Sequence, residues 1–209
     1  MARVTALRVS RGRGKKVKLF LDGRSAFSLE AEVAIKEGLR VNQELTSSQI
    51  ESLIRASHHQ SCYDAAARFL SYRPRSQREL RQRLLKRGFD DDTIEAVVSR
   101  LKERGLIDDA AFAQFWKDNR QSFRPRSQWL TRFELKQKGV PSDIIDQVVS
   151  TIDDTENAYR VAISKARSLT MSDYQSFRRR LGEHLRRRGF GYGVINKTIV
   201  RLWQERGTV

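Results

Sequence analysis

The amino-acid sequence predicts a mainly α-helical protein. It calls for three tandem three-helix repeats in an elongated or curved array, preceded by a small N-terminal β-hairpin or meander. Three observations carry this expectation. The pentapeptide Arg73-Pro74-Arg75-Ser76-Gln77 recurs intact at Arg124-Pro125-Arg126-Ser127-Gln128, 51 residues later. A glycine follows each copy at the same distance, Gly88 and Gly139, and Gly189 lies 50 residues further on. Residues 4–28, by contrast, hold short alternating or β-branched runs with no helical period. A fixed period near 50 marks structural units that are each too small to bury a core alone and must lean on their neighbours.

In the N-terminal extension, residues 1–62, Val4–Val9 and Val17–Leu21 have strand character. Asp22-Gly23 is a tight-turn signal, and Ala26–Leu29 supplies a third strand. Gly12-Arg13-Gly14-Lys15 lacks the spacing of a phosphate loop and is followed by a strand. It is expected to be a basic hairpin tip able to touch phosphate oxygens. Leu29, Val33 and Ile35, with Gly38 as a stop, suggest a short helix. Thr46-Ser47-Ser48-Gln49 is a capping signal ahead of Ile50, Leu53 and Ile54.

The first repeat spans 63–109. Its first helix carries Ala66, Phe69 and Leu70 and ends before Pro74, because the residue before proline disfavours the helical region. Ser76-Gln77-Arg78-Glu79 is a capping box, Leu80 and Leu84 share one face, and Gly88 stops the helix. Asp90-Asp91-Asp92 opens a third helix striped by Ile94, Val97, Val98 and Leu101. The second repeat, 110–154, follows the same order. Asp108 or Asp109 caps a helix bearing Phe112, Phe115 and Trp116. Leu135 stands in register with Leu84, and Ile145, Val148, Val149 and Ile152 reproduce the third-helix stripe. The third repeat, 155–209, is looser. Ser172-Asp173-Tyr174-Gln175 caps a helix with Leu181 and Leu185, and Ile195, Thr198, Ile199 and Leu202 form the stripe with one polar departure.

Charge is the clearest functional signal. Lys and Arg number 41 against 25 Asp and Glu, a formal charge of +16. Such an excess suits a polyanionic partner, either nucleic acid or an acidic protein surface. The excess is concentrated at the two ends, and residues 155–209 hold twelve basic against four acidic side chains. Within them Arg178-Arg179-Arg180 and Arg186-Arg187-Arg188 are the densest basic feature. Arg179 with Arg186, and Arg180 with Arg187, are seven residues apart and share an angular position beside the Leu181–Leu185 face. Mutual repulsion makes such a stripe costly without an anion, so these six are the leading binding candidates. Arginine suits phosphate and carboxylate alike, so the stripe does not choose between them. Arg73, Arg75, Arg124 and Arg126 flank the prolines at helix entries and are weaker candidates. Lys86, Arg87, Lys136 and Lys138 sit in last turns, where they complement the helix dipole.

No catalytic constellation is visible. The acidic clusters at 90–92, 108–109 and 153–154 all stand where helices begin, so capping explains them without a metal. His58, His59 and His184 lack ligand spacing. Trp116, Trp129, Trp203 and Tyr192 are expected in the core or lining grooves. Cys62 is the only cysteine, which excludes an intrachain disulfide. No apolar run reaches the length of a membrane span. A non-enzymatic, cytoplasmic monomer without metal or cofactor is the expectation.

With the repeats aligned, the sequence resembles the RecX family of bacterial regulators of the RecA recombinase. The carrying stretches are Leu101-Lys102-Glu103-Arg104-Gly105-Leu106-Ile107-Asp108-Asp109-Ala110-Ala111-Phe112-Ala113, Leu135-Lys136-Gln137-Lys138-Gly139-Val140, and Arg187-Arg188-Gly189-Phe190. The resemblance covers residues 63–209 and is strongest over 76–150. Residues 1–60 are similar to the N-terminal extension of some members. The resemblance implies a regulator in DNA repair and the SOS response. Such a protein binds the RecA–DNA filament along its groove, mostly inhibits recombinase ATPase and strand exchange, and contacts single- and double-stranded DNA. The alternative of a different class is a stand-alone nucleic-acid-binding protein without a recombinase partner. A metal-dependent nuclease is a remote third reading.

Overall fold

A computed structural model describes residues 1–10, 16–169 and 173–207. The predicted hairpin tip at Gly12–Lys15, and Ser172 of the third capping box, lie outside the described residues. Among the described residues the chain divides into two compact units, Met1–Arg73 with Leu80–Leu106, and Pro74–Glu79 with Ile107–Val209.

The first unit begins with an antiparallel sheet built from β1 (Ala2–Val9), β2 (Lys16–Leu21), β3 (Arg24–Glu30) and β4 (Glu44–Leu45). The strand order is β3-β2-β1-β4. The expected meander is therefore present, and a fourth, two-residue strand is added that pairs Ala2 with Leu45 and Arg3 with Glu44. Two residues are too few to leave an alternation in the sequence. Asp22 and Gly23 both have positive φ, 48° and 80°, the backbone of the tight turn that Asp-Gly signals. Val4, Val17, Leu19 and Leu29 face inward on the sheet, against Val33 of α1 (Ala31–Lys36) and Leu53 of α2 (Ser47–Leu70).

Helix α2 is a single 24-residue helix. It starts with a complete capping box: Thr46 accepts from Gln49 N–H, and the Gln49 side chain accepts from Thr46 N–H at 2.8 Å. The expected boundary at residue 62 falls inside it, because nothing at Ser61-Cys62-Tyr63 breaks the backbone ladder and Cys62, Ala65 and Ala66 are buried. Burial pushes the Cys62 thiol up to about 11, so it is a packing group. Helix α4 (Asp91–Glu103) packs on α2 through the predicted stripe, Ile94, Val97, Val98 and Leu101, all buried. Helix α3 (Gln77–Leu85) buries Leu80 and Leu84.

The second unit holds α5 (Asp109–Phe123), α6 (Gln128–Gln137), α7 (Ser142–Val149), α8 (Asp154–Ala166), α9 (Tyr174–Arg186) and α10 (Tyr192–Gly207). One core gathers Phe112, Leu135, Ile145, Val148, Val149 and Ile152. A second gathers Ala158, Ala162, Phe177, Leu181, Leu185, Ile199 and Leu202. The polar departure Thr198 is buried and donates its hydroxyl to the Val194 carbonyl at 2.8 Å, a bond that keeps the third stripe intact. Among the described residues no helix is long and apolar enough to cross a membrane.

The doubled pentapeptide forms a joint within this unit. Each copy docks on the glycine turn that closes the next middle helix. Ser76 Oγ accepts from Glu79 N–H and donates to the Lys138 carbonyl at 2.7 Å. In the second copy Ser127 Oγ accepts from Leu130 N–H, and Ser127 N–H donates to the Arg188 carbonyl at 3.1 Å. Gln77 N–H donates to Asp109, and Gln128 N–H to Asp154. Each Asp-Asp pair is thus divided. Asp108 and Asp153 cap their own helices, while Asp109 and Asp154 cap the first turn of a helix 32 and 26 residues earlier.

Candidate nucleic-acid interface

Helix α9 and the turn that ends it carry six arginines and one glutamate over 174–188. The helix N-terminus is capped by Asp173, which accepts from Ser176 N–H at 2.8 Å. Phe177, Leu181 and Leu185 recur at i, i+4, i+8 and bury one face. The remaining angular positions have no apolar residue to hide, so the arginines fan over the other faces. Arg178, Arg179 and Arg186 lie on one flank, where they line a groove of about 820 Å³ with Tyr192, Asn196 and Ile199 of α10. Arg180 and Arg187 are exposed. Arg188 is half-buried on the opposite flank and donates to the Pro125 carbonyl at 3.4 Å.

What marks α9 is a concentration of arginines without a carboxylate partner on one short segment. Several arginines elsewhere do meet carboxylates: Arg81 meets Glu95, Arg132 meets Asp146, Arg201 meets Glu205, and Arg120 and Arg126 meet Glu134. Among the described residues none of the α9 arginines has a carboxylate within 4.0 Å. Arg178 instead donates to the Tyr192 hydroxyl at 3.4 Å. Unpaired cations on one helix raise a local positive potential that an anion relieves. The ladder of guanidinium groups matches phosphate and carboxylate oxygens equally.

The helix-entry arginines sit differently. Arg126 is three-quarters buried and paired with Glu134; burial and the neighbouring Arg120, Arg188 and Arg124 push its pKa down. Arg73 and Arg75 are half-buried, and Arg124 is exposed at the end of α5. The structure therefore gathers Arg178, Arg179 and Arg186 in one groove, which Arg75, Arg124 and Arg126 of the same unit do not line.

One aromatic expectation is corrected: Trp129 is 64% exposed and stacked on Phe133 at 6.0 Å. Tyr192, 74% exposed, lines the groove as expected. Both sit in the first turn of a helix, where the period places them away from the buried stripe. Trp116 is packed against Phe112 and donates its indole N–H to Glu134 at 2.8 Å. Trp203 lies between Tyr174 and Phe177.

Three-helix repeats following an N-terminal sheet, with a basic third repeat, define a class of helical-repeat proteins. Family models described as "RecX, first three-helix domain" and "RecX, second three-helix domain" match residues 62–101 and 108–149. The chain is 31% identical over 205 residues to the "Regulatory protein RecX" of Clostridium botulinum (strain Eklund 17B / Type B), covering 95% of both chains. It is 36% identical over 139 residues to the protein of that name from Chlorobium limicola, covering 66% of this chain and 87% of that one. A solved structure titled "Crystal structure of regulatory protein RecX" shares the fold with a TM-score of 0.70 at 22% identity, covering 95% and 98% of the two chains. RecX from Lactobacillus salivarius gives 0.62 at 22% identity, covering 70% and 97%. The chain belongs to the RecX family.

Proposed function

We propose that this chain regulates the RecA recombinase by binding the RecA–DNA filament, and that α9 supplies direct contact with DNA. Membership of a family of regulatory proteins supports the first half. The observation that carries the second is the set of unneutralised arginines along α9, three of them facing a groove with an exposed tyrosine. Phosphates along a nucleic-acid strand would pair with these guanidinium groups in a groove that Asp173 and Glu183 also line. The protein is expected to lower DNA-dependent ATP hydrolysis by RecA at ratios well below one per recombinase. Replacing Arg179, Arg180, Arg186 and Arg187 by Ala should weaken DNA binding and flatten its dependence on salt, because fewer counterions are released. An unchanged salt slope would remove α9 from the site. Tight binding to bare DNA with unaltered ATPase would favour a stand-alone nucleic-acid-binding protein.

A further inference from the structure

On the flank of α9 away from the groove lies a second concavity, of about 330 Å³. Its walls come from the end of α5, from α8 and from α9. Arg160 and Lys165 of α8 meet His184 of α9 and Arg188 of the turn that follows it, and Ser122 and Ser164 add hydroxyls. No carboxylate lines it. Among the described residues Arg160, Lys165 and Arg188 have no carboxylate within 4.0 Å, unlike Arg120 and Arg126, which share Glu134. Phe123, 78% exposed, stands at the rim.

A concave cluster of cations without a counter-ion has one chemistry to offer. Guanidinium and ammonium groups converge as donors and hydroxyls complete the set; the Pro125 carbonyl accepts one bond from Arg188, and an anionic acceptor must come from outside. The positive field is felt by the groups themselves. Burial first, then Arg188, Lys165 and Arg187, push the His184 pKa down. Burial and Arg124 do the same to Arg188.

We infer that this pocket is a phosphoryl-binding subsite, in which Arg160, Lys165 and Arg188 hold the anionic oxygens and serine hydroxyls complete the cradle. The inference deepens the nucleic-acid reading of α9. It rests on that reading for preferring a backbone phosphodiester to a free nucleotide as the source of the phosphate. A strand crossing α9 would then be held on both flanks of the helix, with Arg180 and Arg187 between. Phe123 offers a face on which a base can stack.

The test uses the full chain, with inorganic phosphate, ADP and a thymidine oligonucleotide as probes. His184 is one of three histidines, so its imidazole proton resonance, assigned with His184→Gln, reports the pocket directly. Each phosphoryl probe that enters should shift this signal and raise the His184 pKa. The double variant Arg160→Ala/Lys165→Ala, made at two positions outside the core, should lose about tenfold or more in affinity, the consequence of losing two charge-assisted bonds. Its oligonucleotide salt slope should fall by roughly 0.7, one phosphate's share on a single strand. Loss of phosphate and ADP binding with unchanged oligonucleotide binding would uphold the pocket and assign it to free nucleotides. An oligonucleotide that binds nowhere, with phosphate still moving His184, would uphold the pocket and sink the DNA reading. A His184 signal unmoved by all three probes overturns the subsite, even where Arg179→Ala/Arg186→Ala abolishes DNA binding and so upholds the groove.

Discussion

Asp90 carries pH dependence into the fold through one side chain. Its carboxylate accepts from Thr93 N–H at 2.8 Å and from the Thr93 hydroxyl at 2.9 Å, and His58 Nε2 lies 3.0 Å away. The two Thr93 bonds, with help from His58, hold its pKa down to about 2. A carboxyl lowered in the folded state stabilises above its unfolded value near 4 and loses that contribution as pH falls toward 2. Asp90→Ala should therefore destabilise the protein at pH 7, and the gap to wild type should close between about pH 4 and 2 in urea titrations. Glycine makes a second residue-scale statement. Gly139 and Gly189 have φ of 76° and 85°, and an added Cβ would lie 2.5 Å from Arg78 Cδ in one case and 2.6 Å from Leu130 Cβ and Ser127 Oγ in the other. Gly88 has the same backbone, φ 86°, in open space. Gly88→Ala should cost about 1–2 kcal/mol from backbone strain alone. Gly189→Ala should cost more, since it also pushes the Ser127 joint away, and urea midpoints would show the difference. The glycines were legible in the sequence as helix stops; the packing over two of them was not, because it comes from residues about 60 positions away.

At the scale of elements, Glu134 of α6 ties three groups together. It accepts from Trp116 Nε1 at 2.8 Å and Arg120 Nε at 2.9 Å, and it pairs with Arg126. Arg120 also lies 4.4 Å over the Trp116 ring. Removing the carboxylate leaves two largely buried guanidinium groups without an anion. Glu134→Ala should lower unfolding stability by about 2–4 kcal/mol, a little under the ~3–5 kcal/mol for breaking a fully buried pair from one side and well above an exposed one. Denaturation of Glu134→Ala beside Arg132→Ala, an exposed pair member, would show whether burial sets the difference. Helix starts, stops and stripes were readable because each rests on local chemistry: a cap within three residues, a glycine, a 3.6-residue period. Arg126 and Glu134 are eight positions apart on different elements, so no local rule pairs them. The same holds for Asp109 and Asp154. Both were recognised as cap residues, yet the helices they cap lie earlier in the chain. Ser76 keeps the serine half of its predicted capping box, while Glu79 also meets Lys138.

The whole molecule carries a formal charge of +16, and its long-range electrostatics follow from that excess. Self-repulsion on this scale destabilises a compact chain, and the unneutralised α9 arginines contribute to it locally. Adding NaCl to a low-salt buffer should therefore raise the melting temperature. The rise should be smaller for the variant with Arg179, Arg180, Arg186 and Arg187 changed to Ala. An equal rise in both, followed by calorimetry, would mean that α9 is not where the repulsion resides.

Fold class, helix order and the basic character of the third repeat were determined by the sequence alone. Each depends on spacing and composition, which a linear chain displays directly. Tertiary structure decided which arginines are available. Arg126 and Arg188 stand beside proline or glycine turns and look alike in the sequence. Folding gives one a carboxylate from another helix and turns the other toward a pocket that contains none. Coulomb interactions act through space and are largely screened beyond about 8–10 Å at ordinary ionic strength. Neutralisation is therefore a property of neighbours, and neighbours exist only once the chain has folded.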